Sequence, residues 1–250
     1  MARSFASASS QYLRYTGTIG GEAYTVAGWV YRQTTSGTHV IFSRSNASNT
    51  QVQLFLFNAS NVMQYYYESL LPGTINISGA TSISTGQWYH VAAVMQSGEH
   101  RIYLNGASEA VATNALVSRD NTYTQISGRV YAGSNGEFWN GRMAEFGFWS
   151  TGLTAAEIAG LAKGRDVSTV RPASLAAYYP MGGRYNQSDV DRWESKLDMT
   201  ATGSPTWTDH PRIVYPQVMG LPSKGSGGGG GGVANPVLFH SYYMSQGMRP

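Results

Sequence analysis

Carboxylate side chains are the groups with which this chain of 250 residues could cleave a glycosidic bond. That chemistry needs two carboxylates facing one groove, about 5–5.5 Å apart when the anomeric configuration is retained. The sequence holds eight Glu and six Asp, yet no Glu is followed two positions later by a second acid. The nearest pair close to a predicted strand, Glu137 and Glu145, is separated by a glycine and a predicted turn. The spacing therefore argues against a glycosidase.

Nucleophilic catalysis has no better support in the sequence. There is no cysteine, which removes thiol nucleophiles, thiolate metal sites and disulfides, and no Gly-x-Ser-x-Gly elbow is present. The five histidines fall in predicted strands, a turn and the C-terminal tail, and they are His39, His90, His100, His210 and His240. We therefore predict that the protein is not an enzyme.

Metal binding and charge give little indication of a ligand. Calcium takes about six to eight oxygen ligands, and the loop clusters Asp189–Asp191 and Asp120–Asn121 each supply too few, so no cofactor or metal site is predicted. Seventeen basic and fourteen acidic residues give a net charge of +3 without a basic block, which argues against nucleic acid. No run of eighteen apolar residues is present, so no membrane span is predicted either.

Aromatic side chains are the remaining candidates for a binding site. Exposed Tyr and Trp can stack on sugars or anchor a protein interface. Three consecutive tyrosines must place rings on both faces of a strand, and one tryptophan lies beside a Gly-Glu turn. The candidate glycan or partner platform therefore comprises Tyr65, Tyr66, Tyr67 and Trp139. Three other tryptophans lie within strand patterns and are predicted to be buried, namely Trp29, Trp88 and Trp149.

Short strands separated by turn residues must position these side chains. Residues 86–106 predict a hairpin in which Trp88, His90, Ala92 and Val94 share one face and the residues between them the other. Similar strands are predicted throughout residues 11–149, a spacing typical of a β-sandwich. One helix is predicted from Thr154, where Thr-Ala-Ala-Glu forms a capping box, to Gly164.

Five stretches of this pattern resemble a known family, the laminin-G-like, concanavalin A-type jelly rolls, in order and spacing. They are residues 5–15, Tyr-Thr-Val-Ala-Gly-Trp-Val-Tyr-Arg (24–32), Trp-Tyr-His-Val-Ala (88–92), Ile-Tyr-Leu-Asn-Gly (102–106) and residues 138–161. The resemblance covers roughly residues 5–162. It implies an all-β sandwich with one short helix, a fold that carries many unrelated functions.

The following segment resembles the C-terminal part of laminin-G-like proteins encoded by tailed bacteriophages. The matching residues are 177–182, 202–206 and 209–216. This resemblance implies a virion structural protein, most simply a capsid decoration protein made in the host cytoplasm. Its partners would be the major capsid protein or other virion proteins, and it would form a homo-oligomer or symmetric array. The alternative is a glycan-binding adhesion module on a phage particle or cell surface.

The C-terminal residues predict an extended arm. We expect a jelly-roll domain over residues 1–216, a glycine-rich linker over 217–232 and an aromatic arm over 233–250. The arm has no acid and more apolar surface than a free tail usually exposes. It could bind a neighbouring subunit or fold back on its own sandwich. Its candidate partner-binding residues are Val237, Leu238, Phe239, Tyr242, Tyr243 and Met244.

Overall fold

Two antiparallel sheets face each other across the core in the computed structural model, which describes residues 2–46, 52–68, 75–113, 121–131, 134–182, 193 and 197–211. Strands are numbered in chain order. The first sheet has the order β10-β9-β8-β3-β14-β1-β17, with β15 pairing beside β14. Its strands are β1 (Ala2–Phe5), β3 (Tyr24–Arg32), β8 (Trp88–Gln96), β9 (Glu99–Leu104), β10 (Ala107–Ala112), β14 (Gly141–Trp149), β15 (Leu175–Tyr179) and β17 (Thr206–Thr208).

The second sheet has the order β16-β2-β11-β4-β5-β6-β7. Its strands are β2 (Tyr12–Thr16), β4 (His39–Ser45), β5 (Val52–Phe57), β6 (Val62–Glu68), β7 (Ile75–Ser82), β11 (Tyr123–Ile126) and β16 (Thr200–Thr202). A separate small hairpin joins β12 (Arg129–Tyr131) and β13 (Ser134–Gly136), and the helix is α1 (Ala155–Ala162). The predicted all-β sandwich with one short helix is therefore confirmed.

The core between the sheets is built from alternate residues of each strand. On β8 the inward set is Tyr89, Val91, Ala93 and Met95, which are buried with Phe42 and Phe55 of the second sheet. The other face of β8 points away from the second sheet, as the predicted alternation requires. The outer face of β8 is also apolar, and part of it is buried beneath another element.

The cover is α1 and the chain after it. Ile158 and Leu161 of the helix pack on Ala92, Val94 and Trp149. The predicted capping box is confirmed, because Thr154 Oγ1 accepts the Glu157 amide and Glu157 Oε2 accepts the Thr154 amide at 2.8 Å. The helix covers only part of the first sheet's outer face. The uncovered part begins at Trp29 and continues to the other end of the strands.

A β-bulge in β14 changes which side chains reach that outer face. Ala144 pairs with Trp29 and Gly147 with Ala27, so two residues of β14 stand opposite Gly28. The extra residue turns Glu145 outward and leaves Phe146 inward, against the open space that Gly28 provides. Glu145 takes a left-handed backbone conformation with φ of 56°. A non-glycine residue there carries strain that the surrounding structure must hold.

Both lateral edges of the sandwich are closed by side chains. On one edge the carboxylate of Glu109 in β10 accepts the amides of Ala80 and Thr81 in β7, at 3.1 and 3.0 Å. On the other edge the corner between β16 and β17 crosses from the second sheet to the first. There Gln11 donates to the Gly203 carbonyl at 2.7 Å and accepts the Ala6 amide at 2.7 Å. These contacts join the two sheets without a disulfide.

Candidate functional site

The uncovered part of the first sheet's outer face carries an aromatic strip, defined as Trp29, Tyr31 and Trp88. Pairing places Tyr31 directly between Trp88 of β8 and Arg142 of β14. Trp29 lies two residues along β3 from Tyr31, on the same face, and pairs with His90. All three rings of the strip are partly exposed. They are therefore available to a ligand while the sheet below holds them in place.

The rings of the strip pack edge to face. Tyr31 and Trp88 have centroids 5.6 Å apart with planes at 63°, and Trp29 meets His90 at 5.3 Å and 71°. Such T-shaped contacts hold aromatic rings in fixed orientations. Within the described part of the chain, neither the Trp29 nor the Trp88 indole N–H has a hydrogen-bond partner. The strip thus combines flat apolar surfaces with unused donors.

Arg142 extends the strip on the side of β14. Its guanidinium carbon lies 4.7 Å from the centroid of the Tyr31 ring, a cation–π contact that fixes the side chain on the sheet. The row continues through Ser4 of β1 to Thr206 of β17, which pair with Arg142 and Ser4 respectively. Five neighbouring strands therefore place two hydroxyls, a guanidinium and two aromatic rings in one line, about 19 Å long at the usual strand spacing.

A small recess lies between the strip and the segment after α1. Its lining includes Trp29, His90, Glu145, Arg165 and Asp166. The outer face of the sheet forms its floor, and the residues that follow the helix form its wall. At the recess Trp29 of the strip lies beside the ionisable side chains of Glu145, Arg165 and Asp166.

Glu145 is the buried acid of this recess, with 6% of its surface exposed. Tyr178 of β15 donates its hydroxyl to Oε2, and His210 Nε2 contacts Oε1 at 2.7 Å. His210 follows β17, so the C-terminal end of the sandwich completes the arrangement around a residue of β14. Each carboxylate oxygen has a partner, so Glu145 holds β14, β15 and the segment after β17 together at the recess.

His90 is neutral at physiological pH. Burial lowers the pKa of its imidazole to about 3. Its Nδ1 is buried and has no partner among the described residues. The ring therefore supports Trp29 as a flat uncharged surface and adds no positive charge to the recess.

The platform predicted from the sequence is wrong for three of its four residues. Tyr65 and Tyr67 point into the core between the sheets, and Trp139 is also fully buried there, against Phe57 and His39. The alternation along β6 leaves Tyr66 on the outer face of the second sheet, half-buried beside Leu54. Near Trp139, Glu137 has a left-handed backbone with φ of 53°, and the tryptophan ring nevertheless lies inward.

The prediction that Trp29 and Trp88 are buried is also wrong, whereas it is confirmed for Trp149. Trp149 is fully buried under the segment after α1, with its indole N–H donating to the Val170 carbonyl at 2.7 Å. Trp29 and Trp88 lie on the same outer face but beyond the reach of this cover. Trp149 is buried and the other two rings are not, because α1 and the segment after it cover only one end of this face.

The outer face of the second sheet offers a contrasting cluster. Arg14 lies over the rings of Tyr12 and Tyr123, at 4.7 and 5.1 Å. Its guanidinium is occupied, because Nε donates to Gln125 Oε1 at 2.9 Å and Nη2 also contacts Asn135. This arginine therefore stabilises its own sheet and has fewer donors left for a ligand.

The remaining predicted sites lie largely outside the described residues. This holds for the aspartates at 120, 189 and 191, for the linker, and for the arm residues Val237, Leu238, Phe239, Tyr242, Tyr243 and Met244. Among the residues that the structure describes, no group of three or more His, Asp or Glu could hold a metal ion. No helix in the same part of the chain is long and apolar enough to cross a membrane.

The chain matches a known protein family and is similar to several solved structures. Residues 7–159 match the family model of the concanavalin A-like lectin/glucanases superfamily. No curated protein matches the sequence. A heptameric SAP-like pentraxin from Limulus polyphemus is similar with a TM-score of 0.59 and 18% identity, over 82% of this chain and 93% of that one.

Two further solved structures are similar. One is a putative carbohydrate binding protein from Bacteroides ovatus, with a TM-score of 0.61 and 17% identity over 82% of this chain and 58% of that one. The other is the CBM40 of a Ruminococcus gnavus IT-sialidase bound to α2,3 sialyllactose, with a TM-score of 0.56 and 9% identity over 64% and 96%. At these identities the likeness shows a shared fold.

Proposed function

This chain belongs to the concanavalin A-like lectin/glucanase superfamily, and we propose that it is a non-catalytic glycan-binding module whose site is the aromatic strip. The observation that carries the proposal is the set of three partly exposed rings, fixed on rigid strands and open to solvent beside a polar recess. A sugar ring has an apolar face of C–H groups that a flat aromatic side chain can cover. The free indole N–H groups would donate to its hydroxyls.

The charged groups of the site support binding rather than hydrolysis. Hydrolysis of a glycoside uses two carboxylates on opposite sides of the bond. Glu145 is held by Tyr178 and His210, and Asp166 accepts the amide and the hydroxyl of Ser168 at 2.8 and 2.6 Å. Both acids of the recess are therefore engaged in holding the local structure.

The fold relatives are consistent with this proposal. One of the similar structures is described as a putative carbohydrate binding protein, and another is bound to sialyllactose. Their low identity to this chain transfers no site, so the proposal rests on the strip itself.

The proposal is tested by titrating the protein with a panel of neutral and acidic oligosaccharides in a calorimeter. We expect at least one to bind, and we expect Trp88→Ala and Trp29→Ala each to weaken that binding by about tenfold. Tyr123→Ala is the matched control, because this ring is partly exposed on the other sheet. Binding that Trp88→Ala and Tyr123→Ala weaken equally, or the absence of any binding, would overturn the proposal.

The virion assignment is a separate proposal that rests on the resemblance of residues 177–216 to phage proteins. It places the module on a phage particle as a decoration protein, with capsid or other virion proteins as partners and with symmetric copies. The arm would bind a neighbouring chain. Deleting residues 225–250 should then leave the melting midpoint nearly unchanged and abolish incorporation into particles. A truncated protein that is incorporated at full occupancy would contradict the proposed role of the arm.

A further inference from the structure

Arg142 is the cation beside the aromatic strip. In the described ranges it makes no hydrogen bond and no ion pair, and its guanidinium lies over the ring of Tyr31. The other arginines near this face are engaged. Arg101 pairs with Glu99 at 2.9 Å, Arg171 pairs with Glu157 at 2.6 Å, and Arg165 donates to the Thr169 carbonyl at 3.1 Å.

The contact with Tyr31 leaves the guanidinium available to an anion. The ring centroid lies 4.7 Å from the guanidinium carbon, and the N–H donors have no acceptor among the described residues. A guanidinium edge matches the two oxygens of a carboxylate in a bidentate pair. Because the side chain is already held in place, little conformational entropy is lost when the anion binds.

Arg142 lies in the same row of the sheet as two rings of the strip. Arg142, Tyr31 and Trp88 stand on adjacent strands in one row, so the backbone positions of Arg142 and Trp88 are separated by two strand spacings, about 10 Å. Ser4, also partly exposed, lies on the other side of Arg142. A saccharide lying along the row would place one ring on Trp88 and a substituent of a neighbouring ring at Arg142.

We propose that Arg142 makes the strip selective for acidic saccharides, namely those that carry a carboxylate on a sugar ring. The inference rests on the proposed glycan-binding function and adds the chemical class of the ligand. The aromatic rings supply affinity that any sugar can use, and Arg142 supplies the discrimination between a charged and an uncharged ring.

The test compares two trisaccharides that differ in charge, trigalacturonic acid and its methyl ester. We expect the wild-type protein to bind the acid at least tenfold more tightly than the ester. Arg142→Gln should remove that ratio while affinity for the ester stays within about twofold. Arg142→Lys should retain only part of it, because an ammonium lacks the planar fork. Raising the salt concentration should weaken binding of the acid but not of the ester.

Arg14→Gln is the matched control, since Arg14 also stacks on tyrosine rings but belongs to the second sheet. It should leave the ratio unchanged. Sialyllactose against lactose repeats the comparison with a different acidic sugar, and a sulfated trisaccharide distinguishes a carboxylate site from a general anion site.

The possible failures are distinct. Trp88-dependent binding of the ester and the acid with equal affinity leaves the glycan-binding function standing and overturns the role of Arg142. The same holds if Arg142→Gln keeps the preference for the acid, or if the sulfated sugar binds as tightly as the carboxylate. If no saccharide binds, the proposed function fails and the inference fails with it.

Discussion

His210 and Glu145 are 65 residues apart in the sequence, and their side chains meet at 2.7 Å on the outer face of the first sheet. The other ring nitrogen of His210 lies 2.8 Å from the Pro211 carbonyl oxygen. Both neighbours are acceptors, so an imidazole with one N–H satisfies one of them and an imidazolium satisfies both. The contact ties the end of the sandwich to the bulge of β14.

Loss of this contact should destabilise the fold. His210→Ala leaves a buried carboxylate with one of its two partners, and we expect the free energy of unfolding to fall by about 1–3 kcal/mol. Urea unfolding measures this change. In Glu145→Gln the charge is gone, so a second substitution of His210 should cost less there than in the wild type. Equal costs in the two backgrounds would mean that the pair does not interact.

Unfolding measurements should distinguish the buried Trp149 from the partly exposed Trp88. Trp149→Ala should lower the free energy of unfolding by about 3–5 kcal/mol, because it empties a fully covered site. Trp88→Ala should cost about 1 kcal/mol or less, since its ring is partly exposed. Chemical unfolding of both variants gives the comparison. Similar losses for the two would place Trp88 in the core and remove it from the aromatic strip.

The bulge depends on the missing side chain at Gly28. A Cβ at this position would lie 2.6–2.9 Å from the ring of Phe146, so the ring would have to move within a packed core. We expect Gly28→Ala to lower the free energy of unfolding by about 1–3 kcal/mol. Gly136→Ala, whose added Cβ would meet nothing within 4 Å, is the control. A neutral Gly28→Ala would show that the ring at the bulge is not confined.

Acid should destabilise the protein through its buried histidines. Burial lowers the pKa of His90 to about 3, and burial with the Arg32 charge lowers the pKa of His39 to about 4. An unfolded histidine titrates near pH ~6.5, so below that value the unfolded state binds more protons than the folded state. The free energy of unfolding therefore falls as pH falls from about 6.5 towards 3–4, by up to about 1.4 kcal/mol per pH unit and histidine.

The contribution of His90 is measured by comparing its Gln variant with the wild type at several pH values. His90→Gln should flatten the pH dependence of the unfolding free energy in this window. Parallel curves for wild type and His90→Gln would contradict the assignment of His90 as a buried neutral base.

The alternation of side chains along β8 could be predicted from the sequence, but which of its two faces lies in the core could not. The period-2 pattern puts Trp88 and His90 on the same face as Ala92 and Val94, which the structure confirms. Because both faces of the strand are apolar, the pattern does not say which face is the core. The burial of the outer face depends on how far α1 covers the sheet, and no local residue encodes this distance. The pattern therefore predicts a buried Trp88, whereas its ring is partly exposed.

The polar residues of the site were missed for a related reason. The sequence presents Glu145 only as a neighbour of Glu137, and in an unbroken strand its side chain would point inward. Its outward position requires the bulge, for which Gly28 on the neighbouring strand is the available signal. The contact with His210 depends on the pairing of β17 with β1, which sequence spacing does not fix.

The closed edges of the sandwich bear on its behaviour when many copies are crowded together. An open strand edge is a template on which another chain can add, and such addition leads to fibres and precipitates. Glu109 already occupies the amides of Ala80 and Thr81, and bulges interrupt the ladders of β10 and β7 at the same edge. Strand-by-strand polymerisation is disfavoured there. A dense layer of this domain can therefore remain a set of separate folded molecules.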